Sequence, residues 1–515
     1  MFSNLENLLI SELKINKSKK YFCIVDNIKI YDDFFTELKL NNLIFNTQTN
    51  NDLDSFIFSQ VIDRRYKYQI LLSQNHFTNF YIDLHFILDN PNMFNDELFE
   101  IIYRERQIIN KIPNIINTIW NIILNTQLKY FYNITMIEKW LETMTFNKIS
   151  DKNVNNKYLE IWDIFDKNVK ITTQHIQNIL EYYKQNNLNH KPGMYNIDNE
   201  RLQIYKYFCS THTGINNINL DKLYKYAQNE LDRLEKEFIK YALIILKEKN
   251  ISVSDENKTI KYIANEIKNI DELKFKNEQE YIDEHIRVKN KYEEYYIKSG
   301  KLKQLNESKI VSFNDKNKAG GYWFYDTFYL NTMAYKEMNK SNVESLVLHE
   351  TIPGHHTQIN YFLNSTQEKG DLLLCIFNNI LCGTHEGWGL FSEKLGINQT
   401  NVDKLGRVEH EILRTLRIIV DIDLHKNNKD PEEIIKYMSD HLIMPLDTIR
   451  SEVFRYLAIP GQALCYKTGL SVYDKIFTGN LTSDENIQKY NKYVQEQPLP
   501  LELLIKKYNI TLDWL

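Results

Sequence analysis

Apolar residues recur every three or four positions along most of the first 300 residues, with charged residues between them. The stretch LDKLYKYAQNELDRLEKEFIKYALIILKEK, residues 220–249, is a clear example. This spacing places the apolar side chains on one face of an α-helix. Glycine and proline number only 15 and 9 in the chain, which disfavours a β fold with many turns. We therefore predict a mainly α fold.

Two groups of helix-breaking residues interrupt this pattern. Lys191-Pro192-Gly193 separates an N-terminal helical region, residues 1–190, from residues 191–515, and we expect both to form one continuous unit. Ser299-Gly300 predicts a loop over residues 299–309. In the first 20 residues, acidic residues precede a short apolar patch and lysines follow it, which is the reverse of a secretory signal. We predict an amphipathic helix there instead.

Residues 320–331, GGYWFYDTFYLN, depart from the helical pattern. They are rich in aromatic residues and bounded by glycine and asparagine, so they predict one or two short strands directly before a helix. A strand in that position offers unpaired backbone groups to an extended peptide. The alternative is an aromatic core strand that binds no ligand.

The helix after these strands carries the candidate chemistry. The sequence SNVE at residues 341–344 has the spacing of a capping box, which predicts that a helix begins at Asn342. The helix runs to His349 and Glu350. Pro353 then removes the amide that would bond to the carbonyl of His349, so the helix should break there.

The predicted break from Ile352 to Gly354 decides whether a metal ion can bind. In a straight helix His349 and His355 are separated by about 9 Å of rise and cannot share one metal ion. If Pro353-Gly354 is a two-residue interruption, the remaining residues restore a His-Glu-x-x-His arrangement. Either His355 or His356 is then the second ligand.

A zinc hydrolase needs three protein ligands, an open position for water and a carboxylate that accepts the proton of that water. Glu350 follows the first ligand directly and is the natural base. Glu386 lies about thirty residues after the second histidine, a separation found in gluzincin peptidases. We favour Glu386 as third ligand over His385, which we expect to support a ligand. These residues predict one zinc ion held by His349, by Glu386 and by either His355 or His356.

Later segments offer candidates for the remaining chemistry. A tyrosine hydroxyl or a histidine can donate a hydrogen bond to a developing oxyanion, and Tyr466 and His425 are our candidates. Arg455, beside Tyr456, is a candidate for binding a substrate carboxylate through a two-pronged contact. A purely structural role is the alternative for each.

The amino-acid composition argues against several classes of binding partner. A net charge of -5 and a pI near 6.3 give no general basic surface, so we expect neither nucleic acid nor an anionic membrane as a partner. No segment approaches the roughly 18 to 20 apolar residues that span a bilayer. Five dispersed cysteines disfavour a disulfide framework and favour a reducing compartment. We predict a cytoplasmic protein with a peptide substrate, and its oligomeric state is left open.

The segments GGYWFYDTFYLNT, LHETIPGHHTQ, EGWGLFSEKLG, RTLRIIVDIDLH and RYLAIPGQALCYKTG follow one another in this order. At these residues the chain resembles the mainly bacterial family called domain of unknown function 885 (DUF885), over roughly residues 190–510. The resemblance implies a helical, two-lobed, gluzincin-like fold with a central cleft and a catalytic region in residues 191–515. It also implies zinc ligands His349, His355 and Glu386, with Glu350 catalytic. The chain departs from the family at Gly389, where alanine is usual.

The function that we predict is a zinc metallopeptidase, in which Glu350 activates a zinc-bound water against peptide bonds of short peptides. One alternative is a catalytically inactive peptide-binding or scaffold protein, marked by loss of Glu350 or of a ligand. Another is a metal-dependent hydrolase of a non-peptide amide or ester. A di-iron carboxylate protein needs Glu-x-x-His pairs, and no histidine here has Asp or Glu three residues before it.

Overall fold

The computed structural model describes residues 112–515 apart from residues 126–128, 130, 144–155, 191, 194–200, 255, 257, 304–305, 315–319, 325–326, 367–379, 443 and 497. The helix predicted for the first 20 residues lies outside the described residues. The described residues form two compact units. One contains residues 112–205 and 457–459, and the other contains residues 206–456 and 460–515.

Helices make up most of the described chain, which confirms the mainly α prediction. In chain order they are α1 (Ile112–Leu124), α2 (Ile134–Thr143), α3 (Asn156–Gln185), α4 (Arg201–Thr213), α5 (Leu220–Glu248), α6 (Ile260–Lys268), α7 (Glu278–Tyr292), α8 (Ser341–Glu350), α9 (His355–Thr366), α10 (Cys382–Ser392), α11 (Asn401–His425), α12 (Pro431–His441), α13 (Leu446–Ala458), α14 (Cys465–Ile476), α15 (Asp484–Gln495) and α16 (Leu501–Lys507). The amphipathic stretch at 220–249 is α5, as predicted. No helix in the described part of the chain meets the length and apolarity needed to span a membrane.

Three short strands precede α8: β1 (Lys309–Phe313), β2 (Gly321–Phe324) and β3 (Thr327–Asn331). Their order is β1-β3-β2, with β1 parallel and β2 antiparallel to β3. The strands predicted at residues 320–331 are thereby confirmed. β1, which starts where the predicted loop ends, was not anticipated. β2 lies at one edge of the sheet, and its residue Trp323 pairs with Phe328 of β3.

The helix α8 lies in the interior of its unit and packs against α7, α10 and α11. Val347 and Leu348 are fully buried, and burial of such a side chain contributes about 1.5–3 kcal/mol. Gly406 lets α11 approach the start of α8 closely, since a Cβ atom there would lie 1.9 Å from the carbonyl oxygen of Ser341. The position of His349 and Glu350 at the end of α8 is therefore fixed by packing on several sides.

The start of α8 corrects one prediction. No side chain closes a capping box there. The Ser341 amide donates to the side-chain oxygen of Asn339 at 3.0 Å. The Glu344 carboxylate accepts hydrogen bonds from Tyr292 at 2.5 Å and Lys291 at 2.8 Å. The capping-box prediction is wrong because tertiary donors on α7 bind the carboxylate that the motif assigned to the cap.

The helices α10 and α14 pack through glycine. A Cβ atom on Gly387 would lie 2.4 Å from the Cα atom of Gly469, so neither position accepts a larger residue without movement. This close approach places Tyr466, one turn before Gly469, along the helix that carries Glu386. The pairing of α10 with α14 thus assembles residues from two of the sequence motifs.

Candidate metal centre

The helix break predicted at Pro353-Gly354 is present. α8 ends at Glu350, and α9 begins at His355. Gly354 is needed because a Cβ atom at this position would lie 2.0 Å from the carbonyl oxygen of His349. The chain therefore turns tightly over the last carbonyl groups of α8, and this turn separates the two halves of the motif into two helices.

Side chains of α10 hold the break in place. The indole Nε1–H of Trp388 donates to the carbonyl oxygen of Pro353 at 2.8 Å. The hydroxyl of Ser392 donates to the carbonyl oxygen of Leu348 at 2.8 Å. Carbonyl groups freed at a helix end need such partners when they are buried. Trp388 and Ser392 of α10 thus stabilise the irregular backbone around Pro353-Gly354.

The break brings His355 to His349. Their ring centroids are 4.7 Å apart with the planes nearly perpendicular, and the Oε2 atom of Glu386 lies 3.5 Å from Nε2 of His349 and 3.6 Å from Nε2 of His355. All three candidate ligand atoms lie within 4.8 Å of one another. Tetrahedral zinc with bonds of about 2.0–2.1 Å separates its ligand atoms by roughly 3.3 Å. Two imidazole nitrogens and one carboxylate oxygen at this spacing fit a zinc ion.

His356 faces elsewhere, which separates the two candidates for the second ligand. Its Nε2 atom lies 3.0 Å from the carbonyl oxygen of Asn306, and its Nδ1 atom lies 3.4 Å from the indole nitrogen of Trp323. Among the described residues, the group that could hold a metal ion contains His355 and not His356.

A buried carboxylate orients His349. The Nδ1 atom of His349 lies 2.9 Å from Oε1 of Glu393, and the Glu393 side chain is fully buried. Burial by itself raises the pKa of Glu393. The nearby His410 and His349 have the larger combined effect and lower this pKa to about 2. An ionised Glu393 accepts a hydrogen bond from Nδ1–H of His349 and leaves the lone pair of Nε2 directed at the cluster, as a metal-bound imidazole requires.

The glycine at position 389 lies against the same imidazole. A Cβ atom on Gly389 would lie 2.7 Å from Nε2 of His349, which is closer than any ordinary Cβ contact. In this chain the replacement of the usual alanine by Gly389 therefore has a direct structural consequence. It gives the ligand nitrogen of His349 space on the α10 side.

Glu350 is held by the edge strand. Its Oε2 atom accepts a hydrogen bond from the backbone amide of Trp323 at 2.9 Å. Burial raises the pKa of Glu350, while the neighbouring imidazoles His349 and His355 lower it, and the net shift is upward. A carboxylate with a raised pKa is a stronger base than an exposed one. The position predicted for the base thus combines a fixed oxygen with increased basicity.

Tyr466 lies beside a guanidinium group. The central carbon of the Arg417 guanidinium is 4.4 Å from the centroid of the Tyr466 ring. Burial and the charge of Glu386 raise the pKa of Tyr466 to about 12, against the opposing effect of Arg417. The phenol is therefore neutral at physiological pH and keeps the proton that an oxyanion donor needs.

His425 has a different environment. It is buried, and its Nε2 atom donates to the carbonyl oxygen of Tyr456 at 3.0 Å. Burial lowers the pKa of His425 to about 4, so the ring is neutral. The cluster formed by His349, His355 and Glu386 does not include it, and its role as an oxyanion donor stays a prediction.

The predicted substrate-binding residues Arg455 and Tyr456 converge on one carboxylate. Oε2 of Glu452 accepts hydrogen bonds from the Tyr456 hydroxyl at 2.6 Å, from Arg455 at 3.1 Å and from Arg417 at 2.8 Å. Arg455 also donates to the side-chain oxygen of Gln462 at 3.0 Å. The Tyr456 hydroxyl is thus committed to an internal bond.

Within the described residues, His385 makes no hydrogen bond to a candidate metal ligand. Its ring packs against Phe362 with centroids 5.3 Å apart, and its Nε2 atom has no hydrogen-bond partner among the described residues. Burial lowers its pKa to about 3. The supporting carboxylate is Glu393, which follows Glu386 by two helical turns, and that spacing is visible in the sequence.

Comparisons with known proteins agree with the fold. No curated protein sequence matches the chain significantly. The crystal structure of "the putative lipoprotein from Colwellia psychrerythraea" is similar with a TM-score of 0.63 and 18% identity, over 83% of this chain and 78% of that one. The structure of "a putative lipoprotein of unknown function from Shewanella oneidensis" gives 0.62 and 15% identity, over 99% and 100%. At this identity the likeness establishes the fold alone. Residues 145–476 match the family described as bacterial protein of unknown function, DUF885, and the chain belongs to this family.

Proposed function

We propose that the protein is a zinc-dependent metallopeptidase that hydrolyses short peptides. The observation that carries the proposal is the cluster of His349, His355 and Glu386 with the buried carboxylate of Glu350 beside it. A metal site that served only structure would have no use for an additional base of raised pKa next to its ligands. The same arrangement supports a gluzincin-like fold, because two ligands come from the His-Glu motif and the third from a following helix.

The candidate metal ligands and Glu350 have separate roles in the proposed reaction. When bound by His349, His355 and Glu386, zinc would supply a Lewis acid that polarises the scissile carbonyl and makes a water molecule more acidic. Glu350 accepts the proton of the attacking water and returns it to the leaving amine. The Trp323 amide fixes Oε2 of Glu350, which leaves Oε1 as the proton acceptor.

Two further features support a peptide as the substrate. β2 is an edge strand beside Glu350, and an edge strand binds an extended peptide through its backbone groups. The neutral Tyr466 hydroxyl is a donor for the oxyanion that develops on the scissile carbonyl. The two-lobed shape with a central cleft and the cytoplasmic location remain predictions that accompany this proposal.

Two measurements on wild type, His349→Ala and Glu350→Gln test the proposal: zinc content by elemental analysis, and the rate of peptide hydrolysis. We expect about one zinc ion per chain in wild type and in Glu350→Gln, little in His349→Ala, and turnover in wild type alone. A chelator should abolish turnover, and added zinc should restore it. Full zinc content in His349→Ala, or unchanged turnover in Glu350→Gln, contradicts the assignment.

A further inference from the structure

Two buried arginines of α11 face one tyrosine ring. Arg414 and Arg417 are three residues apart, and their guanidinium carbons lie 6.0 and 4.4 Å from the ring centroid of Tyr466. Only 9% of Arg414 and 7% of Arg417 is exposed. Placing two guanidinium groups out of water beside one aromatic ring is costly unless hydrogen-bond acceptors or anions compensate.

The hydrogen bonds of Arg417 leave one nitrogen unused. Its Nε atom donates to the hydroxyl of Tyr456 at 3.2 Å, and its Nη2 atom donates to Glu452 at 2.8 Å. Nη1 is buried and has no hydrogen-bond partner in the described part of the chain, and the same is true of Nε of Arg414. A buried guanidinium nitrogen without a hydrogen-bond partner is rare in a purely structural role.

Two carboxylates lie next to these guanidinium groups, and both already have other partners. Glu452 serves both Arg417 and Arg455 through a single oxygen, so one carboxylate is shared between two guanidinium groups. The carboxylate whose pKa Arg414 lowers is Glu393, which already accepts a hydrogen bond from His349. Neither carboxylate accepts a hydrogen bond from Nη1 of Arg417 or from Nε of Arg414, so both nitrogens keep a donor for a further acceptor.

This group of arginines lies beside the candidate metal centre. The Gln462 Nε2 atom lies 3.5 Å from the Tyr466 hydroxyl and 3.7 Å from Sγ of Cys382. Cys382 precedes Glu386 by four residues on α10, so both project from the same face of that helix. The Glu386 and Arg455 side chains keep 22% and 31% of their surface exposed, so solvent reaches part of this region.

We propose that Arg417, with Arg414 beside it, binds the carboxyl-terminal carboxylate of a peptide substrate. A guanidinium group binds a carboxylate through charge-assisted hydrogen bonds, and Nη1 of Arg417 has no other acceptor among the described residues. The inference rests on the proposed peptidase function and makes it more specific, since peptides held by their carboxyl end are cleaved near that end. Arg417, and not Arg455, is then the residue that recognises the substrate carboxylate.

The test measures binding in a protein that does not turn over. Glu350→Gln keeps an oxygen that can accept the Trp323 amide, and calorimetry compares tripeptides prepared as free acids and as carboxyl-terminal amides. The middle residue of these tripeptides is alanine, leucine, phenylalanine or lysine. We expect at least one acid to bind about tenfold or more tightly than its amide. In the Glu350→Gln, Arg417→Met double variant the two forms should bind equally.

The Arg417→Met substitution leaves Glu452 hydrogen-bonded to Arg455 and Tyr456, so no buried carboxylate loses all its partners. Arg417→Lys is a second variant that keeps the charge but lacks the fork, and it should retain only part of the preference. Arg450→Gln, at an exposed ion pair with Glu432, is the matched control and should keep the whole preference.

Equal affinity for acid and amide in Glu350→Gln overturns the inference, as does a preference that survives Arg417→Met. An amide that ends in glutamate and binds as tightly as the free acids also overturns it, because the subsite would then read a side chain. Hydrolysis by zinc-loaded wild type is measured separately. A protein that selects acids but cleaves none keeps the carboxylate subsite and overturns the peptidase proposal.

Discussion

Nδ1 of His349 lies 2.9 Å from Oε1 of Glu393, a carboxylate with no exposed surface. This contact decides which nitrogen of His349 is available to a metal ion, although Glu393 is not itself among the candidate ligands. Carboxylates that support a metal-bound imidazole typically change metal affinity by about 10- to 100-fold when they are mutated.

We expect Glu393→Gln to lower zinc affinity by about 10- to 100-fold, because the neutral amide no longer stabilises the Nδ1–H tautomer electrostatically. Competition with a chromogenic chelator measures the affinity. Glu432→Gln, an exposed carboxylate paired with Arg450, is the control and should bind zinc like wild type. Unchanged affinity in Glu393→Gln would mean that packing alone orients His349.

Gly354→Ala should reduce both stability and zinc content. The added Cβ atom would lie 2.0 Å from the carbonyl oxygen of His349, so the turn must move, at a cost of roughly 1–3 kcal/mol. Urea unfolding and elemental analysis measure the two effects. Gly320→Ala is the control, since its nearest contact would be an ordinary one of 3.6 Å. A Gly354→Ala protein with normal stability and one zinc ion would show that the close turn is not required.

Trp388→Phe should disturb the turn through one lost hydrogen bond. The buried carbonyl of Pro353 then lacks its donor, which costs about 1–3 kcal/mol beyond the loss of packing. Trp514→Phe is a matched control, because Trp514 is also buried and its indole nitrogen has no partner within the described residues. We expect the larger loss of unfolding free energy, and reduced zinc affinity, in Trp388→Phe alone. Equal losses in the two variants would remove the special role of this bond.

Acid should destabilise the fold through His285. Burial lowers the pKa of this imidazole to about 4, only partly offset by its hydrogen bond to the Tyr281 carbonyl. The unfolded chain binds the proton first as pH falls below about 6.5, so the contribution to stability is complete above that pH and declines toward pH 4. Between pH 8 and pH 5 the decline is about 2 kcal/mol.

The measurement is urea unfolding of wild type and His285→Gln at pH 8 and pH 5, with a chelator present so that metal release affects neither protein. The difference between the two proteins isolates His285, since the other titrating groups are common to both. His285→Gln should lose less stability than wild type on acidification. Parallel losses would show that His285 is not buried in its neutral form.

Local sequence rules predicted that His349, His355 and Glu386 could come together, which they do in the structure. Pro353 has no amide to donate and Gly354 has no Cβ atom, so the break in the helix follows from covalent structure alone. Glu350 and the aromatic strands were also evident, because their signals lie within a few consecutive residues. The choice between His355 and His356 needed the structure, since both begin the same helix and only packing against Trp323 and Asn306 separates them.

Contacts between distant segments were less predictable. The capping box at residues 341–344 fails because Glu344 binds donors from α7. Arg417 has the i,i+4 spacing of an ion pair with Asp421, yet it binds Glu452 on α13, and Asp421 accepts the amide of Gly461 at 3.0 Å. A side chain with several possible partners takes the one that helix packing brings near, and a single sequence does not contain that packing.

The break at Pro353-Gly354 has one more consequence. In an unbroken His-Glu-x-x-His helix two of the metal ligands belong to the same rigid rod, and the ion joins that rod to one other. Here His349, His355 and Glu386 come from α8, α9 and α10, so an ion would act as a three-way cross-link. Metal loading would then fix the angle between α8 and α9, and the ion would also hold the start of α9 against the core.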